Sequence, residues 1–203
     1  LRPPRVVRRG DRPHLNLREM VEGIQFIWST QVILGFILFD TAAMLFASYR
    51  TLLPIFAGKI LGVGPAGFGA LMAAPAFGFL VGAGVLLLAG DIRRKGAVVF
   101  VNVLFYSVAA GLFALSRSYL LSLLLIAAVG GFDAVGAIMR QTTLQLLVPD
   151  HIRGRATGAL HIFVTGSPSL GQSLIGGVAA VVGAPLALLG GSAACIAAVC
   201  AIA

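Results

Sequence analysis

Asp133 and Arg140 stand seven residues apart in an otherwise apolar run, 120–148. On a helix that spacing places them on one face, about 10 Å apart along the axis. A carboxylate and a guanidinium so arranged can bind a charged solute, carry a proton, or hold a charged group on another helix. Gln141 and Gln145 occupy the adjoining arc, and an earlier apolar run adds Asp40, Tyr49 and Arg50. A charge near the centre of a bilayer costs roughly 3 kcal/mol even on the lenient insertion scale. Such a face cannot look at lipid. It needs a water-filled cavity or other polar helices, and the remaining chain has to build one.

The composition supplies the setting. Of 203 residues, 59% are hydrophobic and 11% charged, and the mean hydropathy is +1.00. About 20 apolar residues cross a bilayer, and several runs here reach that length, so the chain is expected to be an integral membrane protein. Its 26 glycines suit close helix–helix packing, where lipid offers no hydrophobic drive and small residues let backbones approach. The net charge of +8 does not point to nucleic acid, because the bases cluster in short segments between apolar runs, as in cytoplasmic loops. Cys195 and Cys200, five residues apart in the last run, are read as small apolar residues, with no metal set beside them. No cofactor is expected.

Residues 1–15 are basic and proline-rich and read as a cytoplasmic linker drawn to anionic headgroups. Asn16 and Glu19 make a capping box, and Met20, Val21, Ile24, Ile27 and Trp28 recur at helical spacing. This predicts an amphipathic interfacial helix over 16–30, with Trp28 at the membrane boundary. A six-helix bundle follows over 31–203, with spans at about 32–56, 67–89, 97–115, 120–148, 155–182 and 185–203. The start at Leu1 and the end inside an apolar run look like a fragment cut from something longer.

Orientation follows from the bases. Eleven fall on one side: five arginines among residues 1–12, Arg18, Arg93, Arg94, Lys95, Arg153 and Arg155; the other side holds Lys59 and Arg117. The positive-inside rule then puts the N-terminal segment, and the loops after the second and fourth spans, in the cytoplasm.

The lead-in REMVEGIQFIW, the Asp in the span after it, and the segment IMRQTTLQLLVPDHIRGR together resemble the C-terminal half of a major facilitator superfamily transporter, in the bacterial drug- and siderophore-exporter branch. The resemblance covers essentially the whole chain. It implies an all-α membrane protein whose six helices are the seventh to twelfth of twelve. It further implies a missing N-terminal six-helix half as partner, a small-molecule substrate, and export coupled to protons across the cell membrane. Gly90-Asp91-Ile92-Arg93-Arg94-Lys95 is similar to the family's charged loop motif, with Leu87, Ile92 and Arg94 departing from it. Gly166-Ser167-Pro168-Ser169-Leu170-Gly171 is similar to an antiporter glycine–proline motif and is read as kink and packing chemistry.

The seventh and tenth helices line the central cavity in that family, so Asp40 and Arg140 are expected to meet there. The pair then either fixes helix packing or takes part in proton coupling. Asp133 has no base beside it in sequence and is a candidate proton carrier. Arg50 either snorkels to water or faces the cavity, and Tyr49 belongs to an interfacial belt or to a substrate site. Asp91, Arg93, Asp150, Arg153 and Arg155 are candidates for a cytoplasmic gate, against the plainer roles of solvated loop charge, helix N-cap (Asp150) and headgroup contact. An intramembrane serine hydrolase would use His161 with Ser167 or Ser169, but six residues on one helix point the first two apart, and no GxSG-type loop is present. A channel would want a pore loop, and no such motif is visible. No enzyme is expected.

Overall fold

The computed structural model describes residues 28, 30–90, 95–149 and 153–202, and of residues 153, 155, 156 and 159 the backbone alone. The linker over 1–15 and most of the amphipathic segment over 16–30 therefore lie outside the described residues, as do Asp91, Arg93 and Asp150. Trp28 is helical and exposed.

Among the described residues all regular structure is helical. The order is α1 (Gln31–Phe46), α2 (Pro65–Ala89), α3 (Lys95–Leu115), α4 (Tyr119–Leu147), α5 (Arg153–Val182) and α6 (Ala184–Ile202). Pro65 sits at the start of α2, where its missing N–H costs nothing, behind an extended Gly64. Gly90 and Gly183 leave α2 and α5 at φ +67° and +88°, a region closed to most side chains.

The first span is not the single helix expected over 32–56. After α1 the chain breaks at 47–49, then winds as a 3-10 turn (Arg50–Leu52), one α turn (Leu53–Ile55) and a wide π turn (Phe56–Ile60). Pro54, at the head of the α turn, accounts for the break. In a continuous helix its ring would meet the carbonyl of Arg50, and the chain takes a 3-10 turn there instead, with Leu53 still at helical angles (φ −51°, ψ −42°).

Among the described residues five stretches are long and apolar enough to cross a membrane: Gln31–Ile60, α2, α3, α4 and α6. The chain is thus a multi-pass membrane protein. With 30 residues α5 is the longest helix, about 45 Å, and its polar content sets it apart from the other five. Its hydroxyls turn back on their own helix: Thr165 Oγ1 donates to the His161 carbonyl at 2.7 Å and Ser173 Oγ to the Ser169 carbonyl at 3.0 Å. Such bonds satisfy groups that hydrocarbon cannot.

In the bundle α2 lies along α4, α3 on α4 and α6, and α1 against α5 and α6 while touching α3 and α4. Glycines set the closest crossings. Gly78 abuts the carbonyl of Ala127, Gly82 abuts Gly131, and Gly130 abuts the carbonyl of Pro75, with no room for a Cβ at any of the three. Gly171 of α5 and Gly191 of α6 press in the same way on the carbonyls of Met44 and Phe46, in the last turn of α1. The main core joins α1, α3 and α6 around Phe36, Tyr106 and Leu188, and packs Phe56 against Phe113 with tilted rings 4.5 Å apart. A smaller cluster of Ile33, Ile37, Leu144, Val148 and Leu160 ties α1 to α4 and α5.

Candidate functional site

The crossing of α1 and α4 brings Asp40 to Arg140. Arg140 Nη1 lies 2.5 Å from Asp40 Oδ1, with side chains 11% and 20% exposed. Both line a cavity of about 330 Å³, together with Met44, Ser48, Tyr49, Arg50, Tyr106, Asp133, Ala137, Val164, Pro168 and Gln172. One chamber therefore holds two acids and two bases. The break in α1 is what delivers Ser48, Tyr49 and Arg50 to it, since 47–49 leave the helical path. Tyr49 is 4% exposed and belongs to the cavity wall, not to an interfacial belt. Arg50 is exposed and faces the same space.

Asp133 shares the chamber without joining the ion pair. Among the described residues it has no cation within 4 Å, though Asp40, Arg140 and Arg50 all lie within electrostatic range. Its position is fixed from behind by α3 and α2. Asn102 Nδ2 donates to the carbonyl of Phe132 at 2.8 Å, and Phe105 stacks on Phe132 at 5.7 Å. One turn earlier, Gly130 and Gly131 carry the close contact with α2. The small residues around Asp133 thus admit two neighbouring helices on one side and the cavity, at Ala137, on the other.

Gln141 and Gln145 do not line the chamber; both are exposed. They sit about 80° and 120° around α4 from Asp133 at 100° per residue, beyond the arc that the cavity takes. Of the gate candidates, Arg153 and Arg155 open α5 in backbone only, and Asp91, Arg93 and Asp150 lie outside the described residues. His161, Ser167 and Ser169 are not among the lining residues, so no nucleophile–base pair forms there. Tyr106, Ser48 and Gln172 join the site although the residue pattern did not single them out as candidates. Tyr106 was visible as a lone aromatic hydroxyl in the middle of an apolar span. Ser48 and Gln172 carried no such signal.

Chemically the chamber offers one neutralised pair, one unpaired carboxylate, one accessible guanidinium and two phenols. It can bind a solute with both polar and aromatic character and can exchange a proton at a carboxylate.

Residues 4–203 match the family described as Transmembrane secretion effector. Curated relatives include proteins named Enterobactin exporter EntS from Escherichia coli O81 (strain ED1a) and Shigella boydii serotype 18 (strain CDC 3083-94 / BS512). Each is 26% identical over 168 residues, covering 81% of this chain and 39% of the relative's length. No solved structure matches significantly. The chain spans about two fifths of the curated relatives it matches, and it belongs to the transmembrane secretion effector family of major facilitator superfamily proteins.

Proposed function

We propose that this chain is the C-terminal half of a secondary active exporter of small amphipathic molecules, working by alternating access with protons as the coupling ion, and not an enzyme or a channel. One observation carries the reading: Asp40, Arg50, Asp133 and Arg140 converge on a single chamber inside a bundle that otherwise presents apolar faces. Ionisable groups held there at such cost mark substrate and proton paths in membrane proteins. The relatives' names, which speak of export, support the direction. The Asp40–Arg140 pair organises the chamber, Asp133 takes up and releases the proton, and Arg50 with Tyr49 and Tyr106 contacts the solute. The other wall comes from a six-helix half that precedes this one in the full protein.

Asp133→Asn in the full-length protein tests the coupling role. The amide is nearly isosteric and cheaper to bury than a charge, so folding and insertion should be unchanged. Transport driven by a pH gradient should fall sharply, while solute exchange without a gradient survives. Normal pumping by the variant would make Asp133 a packing residue.

The proposed orientation in the cell membrane places residues 1–30 and the elbow at 149–155 in the cytoplasm. A cysteine replacing His151 should react with an impermeant reagent from the cytoplasmic side alone, and one replacing Ser118, which is exposed, from outside alone. Labelling of both from one side would show that α4 does not span.

A further inference from the structure

We propose that a second site, separate from the charged chamber, holds an anionic phospholipid between the ends of α2 and α4 and the start of α3. The groove there measures about 410 Å³ and shares no residue with the chamber. Its walls are mostly apolar, with Ala83, Leu86 and Leu87 from α2 and Ile138 and Met139 from α4, and Thr142 adds one hydroxyl. Leu87 is 83% exposed, so the groove opens sideways to the surroundings of the bundle. At its end sits Lys95, the first residue of α3.

Lys95 is the informative group. It is half-buried, and among the described residues it forms no ion pair. An exposed lysine at a helix end reaches away into water and needs no partner. Lys95 buries part of its stem and lines the end of the trough, so an anionic head at that end would meet a cation that has no protein partner among the described residues. The occupant must therefore combine a long apolar body with a negative head at the membrane surface. A phospholipid with net negative charge has that form, and basic residues between helices at the cytoplasmic end are the usual way such lipids are held. One acyl chain lies along Leu86, Leu87 and Ile138, with the flexible Met139 adapting to it, and the phosphate rests on Lys95. A second protein helix in the groove would have to bring its own acid to Lys95. The base count puts this end of the bundle in the cytoplasmic leaflet.

The test uses the full-length protein in detergent and reads lipid binding, not transport, so it stands or falls independently of the exporter reading. Native mass spectrometry with added phosphatidylglycerol or phosphatidylcholine of the same acyl chains should show tighter binding of the former. K95Q should weaken phosphatidylglycerol binding about fivefold, the Boltzmann weight of one basic residue against an anionic leaflet, and weaken phosphatidylcholine less, because its own choline already balances the phosphate. A83F, which fills the trough and keeps Lys95, should weaken both. Phosphatidylglycerol with a photoreactive tail should label peptides from 83–90 and 138–142 in the unmodified protein, which keeps the test decisive if either variant misfolds. Equal binding by well-folded K95Q and parent, or labelling elsewhere, overturns the proposal. So does crosslinking of a cysteine at Leu87 to the other half of the protein in place of lipid.

Discussion

R140Q should destabilise the full-length protein by about 3–5 kcal/mol, the usual cost of removing one partner of a buried ion pair, and should abolish transport. The effect should exceed that of D40N, and the reason lies in the chamber's inventory. Taking away Arg140 leaves Asp40 and Asp133 facing each other with Arg50 as the remaining cation. Taking away Asp40 leaves Arg140 still within range of Asp133. The double variant D40N/R140Q keeps one acid and one base and should recover most of the lost stability. Thermal midpoints by fluorescence-detected gel filtration would measure all three. Strictly additive losses, or equal damage from the two single changes, would refute the ordering.

G78A should be nearly as damaging, through sterics alone. A methyl group at Gly78 falls on the backbone carbonyl of Ala127, which no rotamer change can move. The two helices must part, and overpacking of this kind costs about 3 kcal/mol or more. Gly84, less than two turns along the same helix, provides the control. It has nothing within 4 Å of a Cβ, so G84A should be neutral or gain up to about 1 kcal/mol from helix propensity. If G78A melts with the parent, α2 and α4 do not cross as described. Because Gly130 and Gly131 of the same crossing lie one turn before Asp133, G78A should also disturb the chamber even where folding survives.

As helices, α2 to α6 begin and end within two residues of the runs read as spans, although α5 is not among the five candidate crossings. Long apolar runs separated by Gly, Pro and short charged loops leave a bilayer protein little choice. The interruption of α1 escaped because Ala47, Ser48 and Tyr49 are ordinary helix residues, and Pro54, which disfavours a continuous helix, lies several residues downstream of them. The Asp40–Arg140 contact was legible, since two opposite charges in hydrocarbon must find each other. Gln141 and Gln145 misled because a polar arc on one helix does not reveal how wide a sector its neighbours leave open. Ser48, Pro168 and Gln172 reach the chamber only through the mutual placement of α1, α4 and α5. That placement is set by glycine contacts such as Gly171 on Met44, and a local pattern does not encode it.

The matched charges of the chamber also bear on voltage. With all four groups ionised, Asp40 and Asp133 cancel Arg50 and Arg140. Moving one elementary charge through the full membrane potential takes about 2.3 kcal/mol per 100 mV; a neutral quartet takes none. Under the proposed alternating access, reorientation of the empty half would move no net charge from this quartet, and a single proton on Asp133 would make the same movement one that the potential drives inward. The fixed charges leave the membrane battery to act on whatever the chamber carries.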